Sequence, residues 1–591
     1  MNFAPDLDEQ DQATLDLSHL RRLWPFVAPY RGTFVACLLI LGLSFVLELA
    51  GPYLLRVALD GPIADAIRGR PTDPNAVWRL GALYLAVTVG GVSLGWTYAM
   101  LTARAGQRVI RDLRVRLFGH LLRLGLGFYD RNASGKLVTR VTTDVENLNE
   151  LISTGVLQSL FDLLKIVGVL AVLFWLDPTL ALITLLATPI VIAVSLAFRN
   201  RVRTSYRDVR HRLALQNAFA GEAIGGVRVA RMFGREPAVA QQFAARNRQT
   251  RNAWLATAAH FAAFVALVDV ALRTTQVAIL GVGGHGVISG AISAGVFVQF
   301  WLYFHKLSEP IRELGEKYNV LQSAFASSER IFGILDEPVA PIPAAQPQPA
   351  GQGPAALRFE QVEFAYRDGP PVLHGIDFEV PPGQRTALVG PTGAGKSTVL
   401  ALVSRLYDPS AGRVLLDGEP LPSLDLDGLR RRIAVVPQDV FLFTGTILDN
   451  VRLFDDAIDE ARVQRALELV GARDFVQALP GGLHAPVEER GATLSHGQRQ
   501  LLSFARAIAV EPDLLVLDEA TANIDSESEA LIQDGMRRIL AGRTSLVVAH
   551  RLSTVRDADQ ILVVHDGRIA ERGSHRELLA LEGIYARMVR G

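Results

Sequence analysis

The residues Gly390-Pro391-Thr392-Gly393-Ala394-Gly395-Lys396-Ser397-Thr398 fit a phosphate-binding loop. They sit between an apolar run, RTALV, and a helix-forming run, STVLALVSRL. Glycines let the backbone curl until its N–H groups face a phosphate, and the helix N-terminus adds positive potential. In that pattern Lys396 reaches the β/γ-phosphates of a nucleotide and the Ser397 hydroxyl ligates Mg²⁺. Further along, Leu514-Leu515-Val516-Leu517 runs into Asp518-Glu519. A buried strand ending in two carboxylates can offer one to a metal and the other to an attacking water, which makes Asp518 the Mg²⁺ group and Glu519 the base. Four apolar residues followed by two acids is a weak signal alone, since a solvated strand end reads the same way. Downstream of a phosphate loop the catalytic reading is favoured.

The elements around these residues alternate. Ala356–Tyr366, Val372–Val380, Gln384–Val389, Ile433–Val436, Leu514–Leu517, Ser545–Val548 and Gln560–Val564 read as short strands separated by helical stretches. Such alternation predicts an α/β domain with a largely parallel sheet over residues 357–591. Ahead of it, six prolines fall between Pro338 and Pro354. No helix survives that density of proline, so 338–356 reads as a linker.

The first half has a different chemistry. Apolar runs occur at Thr33–Leu55, Leu80–Thr102, Ile166–Leu176, Thr179–Phe198, about Trp254–Gly283 and about Ala294–Phe304. About 20 apolar residues cross a bilayer as a helix, and several runs meet that length, so six spans are expected over 19–337. The third is expected to extend on its N-terminal side. Segments 103–153 and 199–253 carry 9 and 12 Lys/Arg, against only Arg68, Arg70 and Arg79 in the opposite loops, which places the N-terminus and these segments in the cytoplasm. Residues 1–18 are acidic and polar and do not read as a cleaved signal. Glu48, Asp269 and Arg273 fall inside the expected spans, where charge needs a partner or a watery cavity. Asp269 and Arg273, four residues apart, can neutralise each other. His305 and Lys306 read as markers of the cytoplasmic side of the sixth span.

Composition narrows the classes further. Sixty Lys+Arg balance sixty Asp+Glu in 591 residues, which removes the electrostatic case for nucleic-acid binding. One cysteine excludes a disulfide scaffold and a cysteine metal cluster.

Residues 357–591 resemble the nucleotide-binding domain of an ATP-binding cassette (ABC) protein, with the motifs in the family's order. The resemblance makes Tyr366 the aromatic that stacks on adenine. It makes Gln438, in Pro437-Gln438-Asp439, a sensor of γ-phosphate and metal, and Leu494-Ser495-His496-Gly497-Gln498 the signature. Asp525, in Ala522-Asn523-Ile524-Asp525, belongs to the loop that crosses the dimer interface, and His550 is the switch histidine. Phe128–Asp130 through Val145, and Gly221–Arg228, resemble the two cytoplasmic segments that touch nucleotide domains in exporters. The implied protein is an exporter half-transporter of a bacterial cytoplasmic membrane: an all-α six-helix transmembrane domain followed by an α/β P-loop NTPase domain. It uses ATP and Mg²⁺, works in the lipid bilayer as a dimer, and moves a drug, lipid or peptide. An ATP-gated channel or an importer subunit built on the same parts is the rival reading. One position departs from the family's LSGGQ: His496 stands where a glycine is usual. Its bulk and narrower backbone range next to the opposing γ-phosphate favour a heterodimer over a homodimer.

Overall fold

The computed structural model describes residues 18–339, 353–366, 369–518, 526–549 and 552–590. The chain forms two compact units. One holds the residues up to Gly119 together with Val138–Asp336; the other holds His120–Leu137 and the residues from Glu337 onward.

The first unit is helical. Its main elements are α1 (Ser18–Val27), α2 (Arg31–Ala58), α3 (Pro74–Leu121), α5 (Val156–Leu176), α6 (Pro178–Gly225), α7 (Glu236–Ile288) and α8 (Ala294–Leu335). The short α4 (Leu126–Arg131) belongs to the second unit. Local sequence explains the sharp turns. Asp177 caps α6 by accepting from the Thr179 and Leu180 N–H groups at 2.8 and 2.9 Å, with Pro178 at the first helical position. Ser293 caps α8, accepting from Val296 N–H at 3.1 Å. Asp60 fastens that cap by accepting from the Ser293 hydroxyl at 2.6 Å and Gly295 N–H at 2.9 Å.

Among the described residues, four helical stretches are long and apolar enough to cross a membrane: Arg21–Ile67, Asn75–Leu121, Ser134–Leu176 and Glu236–Ile288. The other two expected spans fall on α6 and α8. The third span extends N-terminally as far as Val156 as a regular helix. Large apolar side chains such as Leu39, Val46, Trp96 and Trp175 point outward, as a helix surface in hydrocarbon requires. Inside, Val169, Leu173, Ile279, Phe300, Tyr303 and Phe304 pack into one buried cluster.

The second unit is α/β. Its strands are β1 (Leu357–Ala365), β2 (Pro371–Val380), β3 (Arg385–Val389), β4 (Ala411–Leu416), β5 (Ile433–Val436), β6 (Leu514–Asp518), β7 (Thr544–Val548), β8 (Gln560–His565) and β9 (Arg568–Gly573). Six of them form a sheet in the order β9-β8-β3-β7-β6-β5, parallel except for the β8–β9 pair. The sequence reading foresaw this sheet. It did not foresee the separate antiparallel sheet, in which β2, β1, β4 and a two-residue strand at Glu419–Pro420 lie side by side. Alternate side chains of the parallel sheet enter opposite cores. Leu514 and Val516 of β6 pack with the antiparallel sheet, while Leu515 and Leu517 pack with the helix His496–Ala509. Because β3, β7 and β6 run parallel, the phosphate loop after β3 and Asp518 at the end of β6 reach the same sheet edge, where ligands bind in open α/β sheets.

Candidate functional site

The loop after β3 leaves no room for a side chain at Gly390 or Gly395. A Cβ on Gly390 would lie 2.2 Å from the Val564 carbonyl oxygen. Gly395 has φ 104°, and a Cβ there would meet Leu373 Cδ2 at 2.7 Å. The chain then enters the helix Lys396–Val403. Lys396 is buried, and its Nζ donates to the Gly390 and Pro391 carbonyls at 2.7 and 2.9 Å. Burial lowers its pKa below the ordinary lysine value, and the charge of Asp518 opposes that shift.

A cleft of about 440 Å³ opens at this edge, lined by Val372, Thr392, Gly393, Gly395, Lys396, Ser397, Thr398, Gln438 and Asp518. The phosphate loop, Gln438 and Asp518 are thus brought together from three separate stretches of sequence. Ala394 is buried behind the loop, where its N–H donates to the Pro391 carbonyl at 3.2 Å. Tyr366 stands at the start of the helix, its hydroxyl 3.2 Å from Thr398 Oγ1. Its ring, 38% exposed, is held edge-on by Phe364 and Tyr407 at 4.9 and 5.4 Å between centroids.

Sequence reasoning missed Tyr407. Its hydroxyl donates to the Asp130 carboxylate of α4 at 2.5 Å. Burial, together with Asp130, pushes its phenol well above the ordinary tyrosine range. The residue lies just beyond the phosphate-loop helix in SRLYDP, and only the fold shows what it touches.

The signature residues do not line this cleft. Ser495 caps the helix His496–Ala509, accepting from Gln498 N–H at 3.2 Å while Gln498 Oε1 accepts from Ser495 N–H at 3.0 Å. Gly497 is buried in the first turn. His496 is exposed and is the first residue of a right-handed helix, a conformation open to any residue but proline-sensitive beyond its first turn. The expected backbone restriction at His496 therefore does not arise within this chain, and only the bulk of the imidazole distinguishes the position. Glu519, Asp525 and His550 lie outside the described residues.

Ser397, Gln438 and Asp518 offer hard oxygen donors along one cleft, beside a buried ammonium suited to phosphate. Among the described residues, no group of three His, Cys, Asp or Glu side chains could cage a metal by itself. That suits Mg²⁺, which takes one or two protein ligands and completes its shell with phosphate oxygens and water.

The comparisons with known proteins agree with this geometry. Residues 34–311 match the family model described as ABC transporter transmembrane region, and residues 373–522 match the one described as ABC transporter. The chain is 38% identical over its full length to the ABC transporter ATP-binding protein YknV of Bacillus subtilis (strain 168), covering 97% of that protein. The chain belongs to the ABC transporter family. It is also 34% identical to an ATP-dependent lipid A-core flippase of Nitrosococcus oceani, covering 100% of this chain and 97% of the flippase. A solved bacterial Atm1-family ABC exporter with ATP bound matches with a TM-score of 0.76 and 28% identity, over 95% of this chain and 98% of that one. The ABC exporter is an ATPase that uses ATP and Mg²⁺ to drive export. It is a multi-pass protein of the inner membrane with its ATPase domain in the cytoplasm.

The charged residues expected within the spans find partners. Asp269 accepts from Arg273 at 2.7 Å on α7. Lys306 pairs with Glu48 of α2, Nζ to Oε1 at 2.9 Å.

Proposed function

We propose that this exporter moves a hydrophobic or amphipathic molecule, in the class of drugs, lipids or peptides, as one subunit of a heterodimer. The observation that carries the ATPase roles is the convergence of Lys396, Ser397, Gln438 and Asp518 on one cleft. In this reading residues 390–398 cradle the phosphates, and Tyr366 stacks on the base. Ser397, Gln438 and Asp518 would hold Mg²⁺, which would supply positive charge to offset that of the phosphates. Glu519 accepts the proton of the attacking water, His550 and Gln438 sense the phosphate, and Asp525 lies at the subunit interface. Ser495, His496, Gly497 and Gln498 serve the nucleotide held by the other subunit. The domain boundaries are those of the sequence reading: 1–18, 19–337, 338–356 and 357–591.

His496 supports the heterodimer. Its exposed imidazole heads the signature helix, where bulk would displace the partner's nucleotide from the hydrolytic position. A partner with an unaltered signature would complete this chain's own site, leaving the His496 site slow. The similarity to a lipid A-core flippase supports a lipid-like substrate. Two experiments test the reading. Glu519→Gln is expected to bind ATP while hydrolysing it orders of magnitude more slowly, and near-normal turnover removes Glu519 from its role. Expressing the chain alone and with its genomic neighbour tests assembly; full transport by the chain alone, with both sites turning over equally, rejects the heterodimer.

A further inference from the structure

The stretch that carries Gln438 to the nucleotide cleft has no regular structure of its own. Residues 437–440 form no helix, strand or hydrogen-bonded turn, and Gln438 is exposed where it lines the cleft. Where its side chain reaches is therefore set by what holds the two ends of the stretch. Upstream, the chain leaves β5 at Val436, which is buried and pairs with Leu517 of β6. Downstream, Leu442 is buried in the same core as Leu501 and Phe504 of the helix His496–Ala509.

Two side chains fasten that downstream end. Asn450, 1% exposed, accepts at Oδ1 from Phe443 N–H at 2.8 Å. Its Nδ2 donates to the Phe443 and Thr446 carbonyls at 2.8 and 3.0 Å. Arg506, on the helix His496–Ala509, reaches over the same loop. Its Nε donates to the Asn450 carbonyl at 2.9 Å, its Nη2 to Asn450 Oδ1 at 3.4 Å and its Nη1 to the Phe441 carbonyl at 3.1 Å. The Asn450 carbonyl lies in the last turn of the helix Ile447–Arg452, where carbonyls lack intrahelical partners and a cation is favoured. Burial alone moves the pKa of Arg506, down from the ordinary arginine value. All three of its acceptors are backbone or amide oxygens, so the rigid guanidinium fork reads the path of the loop. The Phe441 carbonyl is three residues from Gln438, about 10 Å of chain at full extension.

We propose that Arg506 is a positioning residue for ATP hydrolysis. Through the Phe441 carbonyl and Asn450 it fixes where Gln438 reaches into the nucleotide cleft. Arg506 does not line that cleft, so it acts through Gln438. The proposal rests on the reading of Gln438 given above. The phosphate loop and Tyr366 do not depend on this fastening, so ATP is still held when Arg506 is altered, and the step that needs Gln438 is lost.

The test is a double-mutant cycle on the full-length exporter in lipid nanodiscs. Wild type, Arg506→Met, Gln438→Ala and the double variant are compared in Mg²⁺-dependent ATP hydrolysis and in ATP binding in EDTA. Arg506→Met keeps an apolar stem and removes the donors. It should lower kcat about ten- to a hundredfold, the cost of displacing a reacting group by about 1 Å, with ATP affinity changed by less than about twofold. Added to Gln438→Ala, it should lower kcat no further, because a misplaced Gln438 and a missing one are equivalent. Arg506→Lys offers a point charge in place of the fork and should restore kcat only in part. If Arg506→Met does not fold, Arg506→Lys takes its place in the cycle. Losses that multiply in the double variant, a fall in ATP affinity as large as that in kcat, or wild-type kcat in the Arg506 variant overturns the proposal. Full hydrolysis by Gln438→Ala overturns the reading of Gln438 and the proposal with it. Loss of hydrolysis in Gln438→Ala but not in the Arg506 variant rejects the proposal alone.

Discussion

Asp144→Ala should unfasten the cytoplasmic end of α8 from the segment that follows α4. The Asp144 side chain is only 4% exposed, yet it accepts from four donors. These are Arg330 Nε and NH2 at 3.0 and 2.5 Å, Arg140 NH1 at 2.8 Å and Ser327 Oγ at 3.0 Å. Alanine leaves both guanidinium groups, 15% and 24% exposed, without their shared counter-charge. Breaking a buried ion pair by removing one partner costs about 3–5 kcal/mol. These contacts lie within the last third of α8 (Ala294–Leu335), so the loss should act locally before it unfolds the whole protein. Hydrogen exchange is the fitting assay, since it reads opening segment by segment. At about 1.4 kcal/mol per factor of ten, protection over Val145–Glu150 and Ala324–Leu335 should fall by about a hundredfold or more. Adding Arg330→Met to Asp144→Ala should recover part of this, but not all, because Arg140 stays unpaired. A loss of protection under about fivefold would show that water or another acid already satisfies the two arginines, and the reasoning would fail.

Other predictions concern the nucleotide cleft and the packing of α8. Lys396→Met should raise the ATP dissociation constant sharply, as the phosphates lose their buried cation. In the ligand-free protein it should also raise thermal stability at neutral pH. Burial depresses the folded pKa of Lys396, so the penalty on its ammonium is complete below that value and fades as pH rises toward the unfolded one. Unchanged ATP affinity and melting would contradict both parts. Tyr366→Ala should weaken ATP binding by about 1–3 kcal/mol, the worth of base stacking, while Tyr366→Phe gives up only the 3.2 Å contact to Thr398; equal losses in titration would exclude stacking. Gly295→Ala should cost about 1–3 kcal/mol by overpacking, since its Cβ would meet Asp60 Cγ at 2.6 Å and the Arg56 carbonyl oxygen at 2.7 Å. Faster hydrogen exchange at the start of α8 would register it, and wild-type exchange would show that the helix end shifts freely.

What the sequence determined by itself is the chemistry that depends on near neighbours. Nucleotide phosphates demand a fixed run of glycines, a lysine and a hydroxyl between strand and helix, so residues 390–398 were readable without a fold. The parallel strands were readable because burial on both faces writes continuous apolar runs, as in Leu514–Leu517. Membrane spans were readable because hydrocarbon excludes polar side chains over a whole helix length. The tertiary structure decided whatever joins residues far apart in the chain. Lys165 and Lys306 share Glu48 only because α2, α5 and α8 pack side by side, and helical periodicity does not say which faces will meet. Tyr407 reaches Asp130 across 277 positions of sequence. The antiparallel sheet escaped because β4 is so weakly patterned, its first three residues exposed and only its last three buried. At His496 the fold corrected a local inference: the family's glycine suggested a backbone constraint, but the position is the ordinary first turn of a capped helix. Composition and spacing specify which groups are present, and packing specifies which of them share a desolvated space where charge and hydrogen bonding gain their strength.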